Sequence, residues 1–393
     1  MSVLLGLAII SVTIWISLLC FRGQFWQADR QLEAQETKKD ETQTLPVICA
    51  VIPARNEAQL LPVTLRSLLT QDYPNVKIIL VDDHSTDGTA QVAKTTAEQL
   101  GSQQLQVIHA KPLPLGWTGK LWAIEQGIQA AQIAPEYILL TDADIEHDCA
   151  NLRRLVTKAQ AEDLDLVSVM VRLRCESFWE KLLLPAFVFF FQKLYPFRWV
   201  NDRSKTTAAA AGGCILIRQT ALEQIGGLQV VRQALIDDCA LAYAVKSTSL
   251  SSRGIWLGLS DLTCSLRPYP FLKTIWDMVA RTAFTQLHYS PLLLFGTVVG
   301  MILIYMVAPV ATVLGVVTGN WAIATTGFIG WLLMSVAYYP TINFYKCSPW
   351  FAICLPAIAL LYTLMTIDSA LRHWQGKGGA WKGRIYSHSI AGK

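Results

Sequence analysis

Residues 3–21 are apolar or small, without a single charge, over about the length that crosses a bilayer. Uncharged apolar stretches return at 292–317, 321–339 and 350–367, the first two separated only by Thr318, Gly319 and Asn320. Such segments need hydrocarbon around them or complete burial, so any fold of this chain must first accommodate them. Hydrophobic residues make up 52% and charged residues 16% of the 393, which excludes a disordered chain and a purely cytosolic enzyme.

The first run reads as an anchor. No basic residue precedes it, no A-x-A site comes after it, and Leu19 stands where a lipoprotein signal ending at Cys20 needs a small residue. Arg22, Arg30, Lys38 and Lys39 come next, so the positive-inside rule puts the segment after the run in the cytoplasm. Strict alternation of four spans would then leave the basic tail (Arg372, Lys377, Lys382, Arg384) outside, against the same rule. Either the last segment is re-entrant, broken at Pro356, or the tail is an exception. A fifth apolar run, 182–191, is short and contains Pro185. It reads as a helix lying in the interface, ahead of the aromatic and basic Tyr195–Trp199, with a buried core helix as the alternative.

These features divide the chain into an anchor (1–22), a linker (23–44), an α/β domain (45–285, with the interfacial region at 178–200), a membrane region (291–367) and a basic tail (368–393). The net charge of +4 sits beside apolar runs and forms no stripe, so no nucleic-acid partner is expected. Nine cysteines without C-x-x-C or Cys/His spacing argue against zinc and against a disulfide framework.

Within 45–285, apolar β-branched runs alternate with amphipathic ones. Strands are expected at 46–52, 76–81, 105–109 and 137–141, and helices at 59–70, 89–100 and 120–131. Continuous apolar strands fit a mostly parallel, doubly wound sheet covered on both faces. Ligands of such sheets bind at the carboxyl ends of the strands. The residues at those ends are polar and acidic: Pro53-Ala54-Arg55-Asn56-Glu57, then Asp82-Asp83-His84-Ser85, then Asp142-Ala143-Asp144. Each alone is an ordinary turn or helix cap. Together they place uncompensated carboxylates in one crevice, which suits a hard divalent cation shared with a diphosphate. G-x-G-x-x-G is absent, which removes the main support for a nicotinamide or flavin enzyme.

VIPARNE, VDDHSTDGT, TDADI, a Gly-Gly segment and an acidic pair resemble the family 2 inverting glycosyltransferases of GT-A fold, over residues 45–285. GWTGKLWA, AAAAGGCIL and IDDCALA are most similar to the bacterial hopene-associated members. The resemblance implies a GT-A (Rossmann-like) domain at the bacterial inner membrane, multi-pass, with its catalytic domain on the cytoplasmic face. It implies a nucleotide-sugar donor, most simply a UDP-sugar, a membrane lipid acceptor and Mg²⁺ or Mn²⁺. Ala54, Asn56 and Glu57, with Asp82 or Asp83, would hold the base and ribose. Lys120 would meet the diphosphate, or is a solvated surface lysine. Asp142 would face the ribose and bind the metal together with Asp144. Gly212 and Gly213 would let the backbone approach the donor sugar, or simply allow a tight strand entry. Asp238, beside Asp237, would be the general base, or both are an acidic helix N-terminus.

The Q-x-x-R-W segment of processive members is missing, and Arg281 alone remains to clamp the diphosphate. The expected reaction is therefore a single transfer to a lipid hydroxyl, in hopanoid or other polyisoprenoid metabolism. A polyprenyl-phosphate or ceramide-type sugar transferase is the enzymatic alternative. A catalytically inactive membrane scaffold is the alternative of another class. The segment Trp381-Lys382-Gly383-Arg384 resembles one found after the last span in some members. It would work with the active site only from the cytoplasm, and a basic tail on anionic headgroups is the simpler account.

Overall fold

The computed structural model describes residues 1–34, 45–131, 134–248 and 253–376, together with the strands Ala380–Trp381 and Arg384–Ile385. Lys38, Lys39, Lys377, Lys382 and Gly383, with the rest of 35–44, 377–379 and 386–393, lie outside the described residues. Of the 381–384 segment, only the antiparallel pairing of the two short strands is described.

Eight strands form one sheet: β1 (Ile48–Ala54), β2 (Val76–Asp82), β3 (Leu105–His109), β4 (Tyr137–Thr141), β5 (Ile145–Glu146), β6 (Leu164–Arg172), β7 (Cys214–Arg218) and β8 (Gly254–Ser265). Their order is β3-β2-β1-β4-β7-β6-β8-β5. The first four pair in parallel, as the alternating sequence pattern requires. The second half is mixed. β7 runs antiparallel to both β4 and β6, while β6 and β8 are parallel.

Every residue of β1 and β4 is buried, which explains their unbroken apolar character. Successive side chains serve opposite faces. Cys49 and Val51 join one core with Ile79, Val81, Leu121 and Ile124, whereas Ile48, Ala50 and Ile52 join another with Leu61, Leu65 and Leu152. The covering helices lie close to the sheet. At Gly127 an added Cβ would stand 2.4 Å from Val51 Cγ1, so the helix there can approach β1 only with glycine.

The helices used below are α1 (Ser2–Phe21), α2 (Leu61–Leu69), α3 (Thr89–Gln99), α4 (Gly119–Gln129), α5 (Asn151–Ala161), α6 (Phe178–Leu194), α7 (Asp237–Ser247), α8 (Leu272–Ala280), α9 (Pro291–Val317), α10 (Trp321–Phe344) and α11 (Leu355–Trp374). Four of them, α1, α9, α10 and α11, are long and apolar enough to cross a membrane. The first three pack together through small residues. Gly330 of α10 faces Ser11, Val12 and Ala308, and Gly327 sits on the backbone of Ala308 and Thr312. The Trp15 indole of α1 donates to the Ile304 carbonyl at 2.8 Å, where α9 loosens into a π turn at Ile302–Met306.

α6 continues through Pro185, and a capping box fixes its start. Glu180, fully buried there, accepts hydrogen bonds from the Glu176, Ser177 and Tyr269 backbone N–H groups and from Arg174. Its apolar face joins α1, α9, α10 and α11 in a third core that includes Trp15, Phe189, Tyr305 and Tyr338.

α11 does not lead away from the sheet domain. Phe351, in the turn before it, lies 6.4 Å from Phe178. The Tyr362 hydroxyl donates to the Leu183 carbonyl at 2.8 Å. Near its end, Asp368 accepts from the Trp276 indole at 2.7 Å and Arg372 pairs with Asp277 at 2.8 Å. Contacts with α6 and α8 thus run the whole length of α11.

Candidate active site

The carboxyl ends of β1, β2 and β4 meet on one edge. Ala54 pairs in register with Asp82, and the Asp83 N–H donates to the Ala54 carbonyl at 2.8 Å. The loops after β1 and β2 then brace one another. Asn56, at φ +53, donates its N–H to Ser85 Oγ at 3.0 Å and accepts the Thr86 N–H at 2.9 Å. The Glu57 N–H donates to Thr89 Oγ1 at 2.9 Å, at the start of α3. Asp82 accepts the Ser85 N–H and lies 3.2 Å from His109 Nδ1, while Asp83 is buried beside Arg55 at 3.7 Å.

A cavity of about 420 Å³ opens next to this double loop. Glu57, Lys120, Asp142, Asp144, Gly212, Gly213, Asp237, Asp238 and Arg281 all line it. Strand ends and loops that lie far apart in the chain are thereby brought together. Ala54, Asn56, Asp82 and Asp83 are not among its walls and belong to the adjoining double loop.

Asp238 sits in the first turn of α7. Its Oδ2 accepts the Gly212 N–H at 2.9 Å and its Oδ1 accepts the Cys239 N–H at 2.7 Å. Burial and the neighbouring Asp237 push its carboxyl up to about 6, against the pull of Lys120 and the two N–H donors. Such a group is half-ionised near pH 6 and mostly ionised at neutrality. Gly212 faces both groups: an added Cβ would come within 3.4 Å of Asp238 Oδ2 and Lys120 Nζ.

Lys120 is not a solvated surface lysine. Its Nζ stands 2.9 Å from Asp142 and 3.7 Å from Asp237, at the N-terminus of α4. Burial disfavours its charge, but Asp142 and then Asp237 more than offset this and hold the ammonium above its usual value.

Arg267, which carries no motif signal of its own, completes the acidic side. It donates from Nη2 to Glu57 Oε1 at 2.6 Å and from Nε to Asp144 Oδ2 at 2.7 Å. It lies just beyond the end of β8 at Ser265, so inspection of the residues after each strand finds it only once β8 is placed. Asp144 is pushed up by burial, pulled back by Arg267 and raised again by Asp142.

Among the described residues no three His, Cys, Asp or Glu groups cluster as a metal site. Asp142 and Asp144 line one cavity, and each is held by a cation of the chain. That donor set fits a hard divalent ion that takes one or two carboxylates and completes its shell with substrate phosphates and water.

The rest of the cavity is apolar. Met170, Val171 and Leu173 come from β6 and the residue after it, and Phe187 and Phe191 come from α6. Arg281 and Thr282, just after α8, close this side, and the Arg281 guanidinium makes no ion pair among the described residues.

Residues 49–226 match the model of the glycosyl transferase family 2. The 4,4'-diaponeurosporenoate glycosyltransferase of Staphylococcus haemolyticus is 35% identical over 109 residues, 28% of this chain and 27% of that one. The undecaprenyl-phosphate 4-deoxy-4-formamido-L-arabinose transferase of Yersinia enterocolitica is 30% identical over 147 residues, 36% of this chain and 42% of that one. The chain therefore spans between a quarter and a half of the length of these curated relatives. The mannosyltransferase PcManGT of Pyrobaculum calidifontis, solved with GDP-Man and Mn²⁺, superposes with a TM-score of 0.54 at 17% identity, over 94% of this chain and 99% of that one. At that identity the likeness concerns the fold. Residues 49–226 form a glycosyl transferase family 2 domain, in a chain of GT-A-like fold with four candidate membrane helices.

Proposed function

We propose that this chain transfers a sugar, once per encounter and with inversion, from a nucleotide-sugar to a lipid held at the membrane face. One observation carries the reading: a single cavity joins the carboxylates at the strand ends to an apolar wall built from α6, whose opposite side packs on the candidate spans. The double loop of Ala54, Asn56, Asp82 and Asp83 would receive the base and ribose, of which a UDP-sugar is the simplest donor. Lys120 and Arg281 would meet the diphosphate. Asp144 and Asp142 would hold Mg²⁺ or Mn²⁺, which when bound offsets the charge growing on the leaving diphosphate.

Asp238 would take the proton from the attacking hydroxyl. It is oriented by two backbone N–H groups, and its elevated pKa suits a general base working near neutral pH. Gly212 would leave the space in front of it to the donor sugar, whereas Gly213 faces Val171 and Ile145 and would serve a tight strand entry. The acceptor would rest against Phe187 and Phe191, and a hopanoid or another polyisoprenoid alcohol fits such a wall.

The PcManGT complex with GDP-Man and Mn²⁺ supports the donor class and the metal. The name of the Yersinia relative favours a second acceptor, a polyprenyl phosphate, whose oxyanion would need no base. The inactive scaffold is not favoured, because every carboxylate it would be expected to lose is present. Location in the bacterial inner membrane with the sheet domain in the cytoplasm accords with the basic residues after α1. The break expected at Pro356 falls at the start of α11 and leaves an unbroken helix, which would then lie along the cytoplasmic membrane face against α6 and α8 rather than re-enter, with both ends on that side.

The test is radiolabel transfer from UDP-, GDP- and TDP-sugars into lipid, using membranes carrying the wild-type chain or Asp238→Asn. Label in the organic phase that the variant loses supports the hydroxyl acceptor, and label that the variant retains supports the phosphate. No label from any donor in native lipid would overturn the proposal.

A further inference from the structure

Where α1 ends, two cations meet without an acid. Arg22 donates from Nε to the Lys193 carbonyl and from Nη2 to the Leu194 carbonyl, both at 3.2 Å, at the C-terminus of α6. Its guanidinium lies over the Trp199 ring, 4.8 Å from the centroid. Lys193 donates from Nζ to the Tyr305 hydroxyl at 2.9 Å, and that tyrosine is fully buried in the π turn of α9. Asp29, the first acid after Arg22 in the chain, pairs with Arg198 instead. Neither Arg22 nor Lys193 enters an ion pair among the described residues.

The cost of this arrangement is plain. Lys193 carries three donors and uses one, and Arg22 carries five and uses two. Two like charges held close together and only partly open to solvent favour a counter-ion, and the described residues supply none. The backbone carbonyls ending α6 soften the repulsion through their dipoles but neutralise neither charge. The position is informative as well. It lies where the apolar run of α1 stops, between Trp26 and Trp199, at the level where interfacial tryptophans and lipid headgroups are found.

We infer that Arg22 and Lys193, the latter steadied by the buried Tyr305 hydroxyl, form a site for the phosphate of an anionic membrane phospholipid. The inference rests on the membrane reading of α1 and α9. A lipid phosphate would accept the unused N–H groups of both cations, and its chains would run beside the apolar surfaces of α1 and α9. α6 gains from this as the element that carries Phe187 and Phe191 into the cavity: a lipid clamped at its C-terminus fixes the acceptor wall against the bundle. The phosphate could instead be free in solution, and the two sources are separable by experiment.

The full chain in mild detergent is presented with dioleoylphosphatidylglycerol or dioleoylphosphatidylcholine, and retained lipid is counted by native mass spectrometry. The wild type is expected to retain one phosphatidylglycerol in preference to phosphatidylcholine, by about fivefold per cation. Arg22→Gln with Lys193→Gln should abolish the preference while UDP binding is unchanged. Lys193→Met, which keeps the apolar stem, should lower it on its own if the double variant does not fold. Equal retention of the two lipids by the wild type, or an unchanged preference in the variants, would overturn the site. Displacement of phosphatidylglycerol by millimolar inorganic phosphate would overturn its assignment to a lipid. Failure of the wild-type chain to bind vesicles of either composition would instead remove the membrane reading on which the site depends.

Discussion

Arg267 and Asp144 are joined by a hydrogen-bonded ion pair of 2.7 Å, and the same guanidinium reaches Glu57 at 2.6 Å. A chain cation thus occupies the side of Asp144 that faces the first loop. Replacing Arg267 by Gln leaves two nearly buried carboxylates without their counter-charge, which costs on the order of 3 kcal/mol for a fully buried pair and less here because Arg267 is partly exposed. The expected outcome is a melting temperature lowered by several degrees and a donor KM raised about tenfold or more. Thermal unfolding and donor titration check both.

The second prediction concerns acid sensitivity. The Asp238 carboxyl is raised to about 6 by burial and then by Asp237, and only its ionised form can accept a proton. Activity towards a hydroxyl acceptor should therefore be full well above pH 6 and fall about tenfold per unit below it. Asp237→Asn removes the second cause, so the acid limb should move to lower pH. Asp238→Asn should lower kcat by about 10²–10⁴ with donor affinity nearly unchanged. A pH–rate profile with no acid limb between pH 4 and 7 would remove Asp238 from the base role.

Metal dependence should itself depend on the donor. Asp142 and Asp144 are engaged by Lys120 and Arg267, so Mn²⁺ alone should bind weakly. Adding UDP should tighten it by about tenfold or more, because the diphosphate supplies further oxygen ligands. Electron paramagnetic resonance of free Mn²⁺ reads this without turnover. Chelation should remove activity, and added Mn²⁺ or Mg²⁺ should restore it.

Glu180 ties the start of α6 to Tyr269 through three backbone N–H donors and Arg174. Burial works against its charge, and the backbone donors more than offset this, holding the carboxyl below its usual range. Glu180→Ala should cost ~3 kcal/mol by leaving those donors unpaired. Because Tyr269 and α6 both line the cavity, acceptor KM should rise more than donor KM.

If α11 lies along the cytoplasmic membrane face, its end is on the side of the sheet domain. In a chain with its exposed cysteines replaced, a cysteine at Gln375 should react with an impermeant maleimide only after the membrane is opened. Labelling in intact cells would place that end outside and show that α11 crosses the membrane instead.

Several elements can be read directly from the chain because their signals are local. Apolar residues dominate β1 to β4, with Lys77 and Gln106 as exposed interruptions, and the sheet places the strands within two residues of expectation. α1, α9 and α10 are recognisable from uncharged length alone. The acidic clusters can be read as one site because a parallel sheet aligns its carboxyl ends. β6, β7 and β8 are less visible, since an antiparallel insertion breaks the alternation on which that reading depends.

The membrane-flanked α/β plan and most of the charged residues of the cavity are written locally in the chain, because both rest on periodicity and on residue type next to a strand. Which charges meet is a matter of how distant segments fold together. Arg267 comes from beyond β8 to hold Asp144, 123 positions away, and Lys193 lies against Tyr305, 112 positions away. The same holds for the path of α11 against α6 and α8. Its apolar composition permits a span, but Tyr362, Asp368 and Arg372 find their partners on α6 and α8, and buried polar groups go where they can be paired.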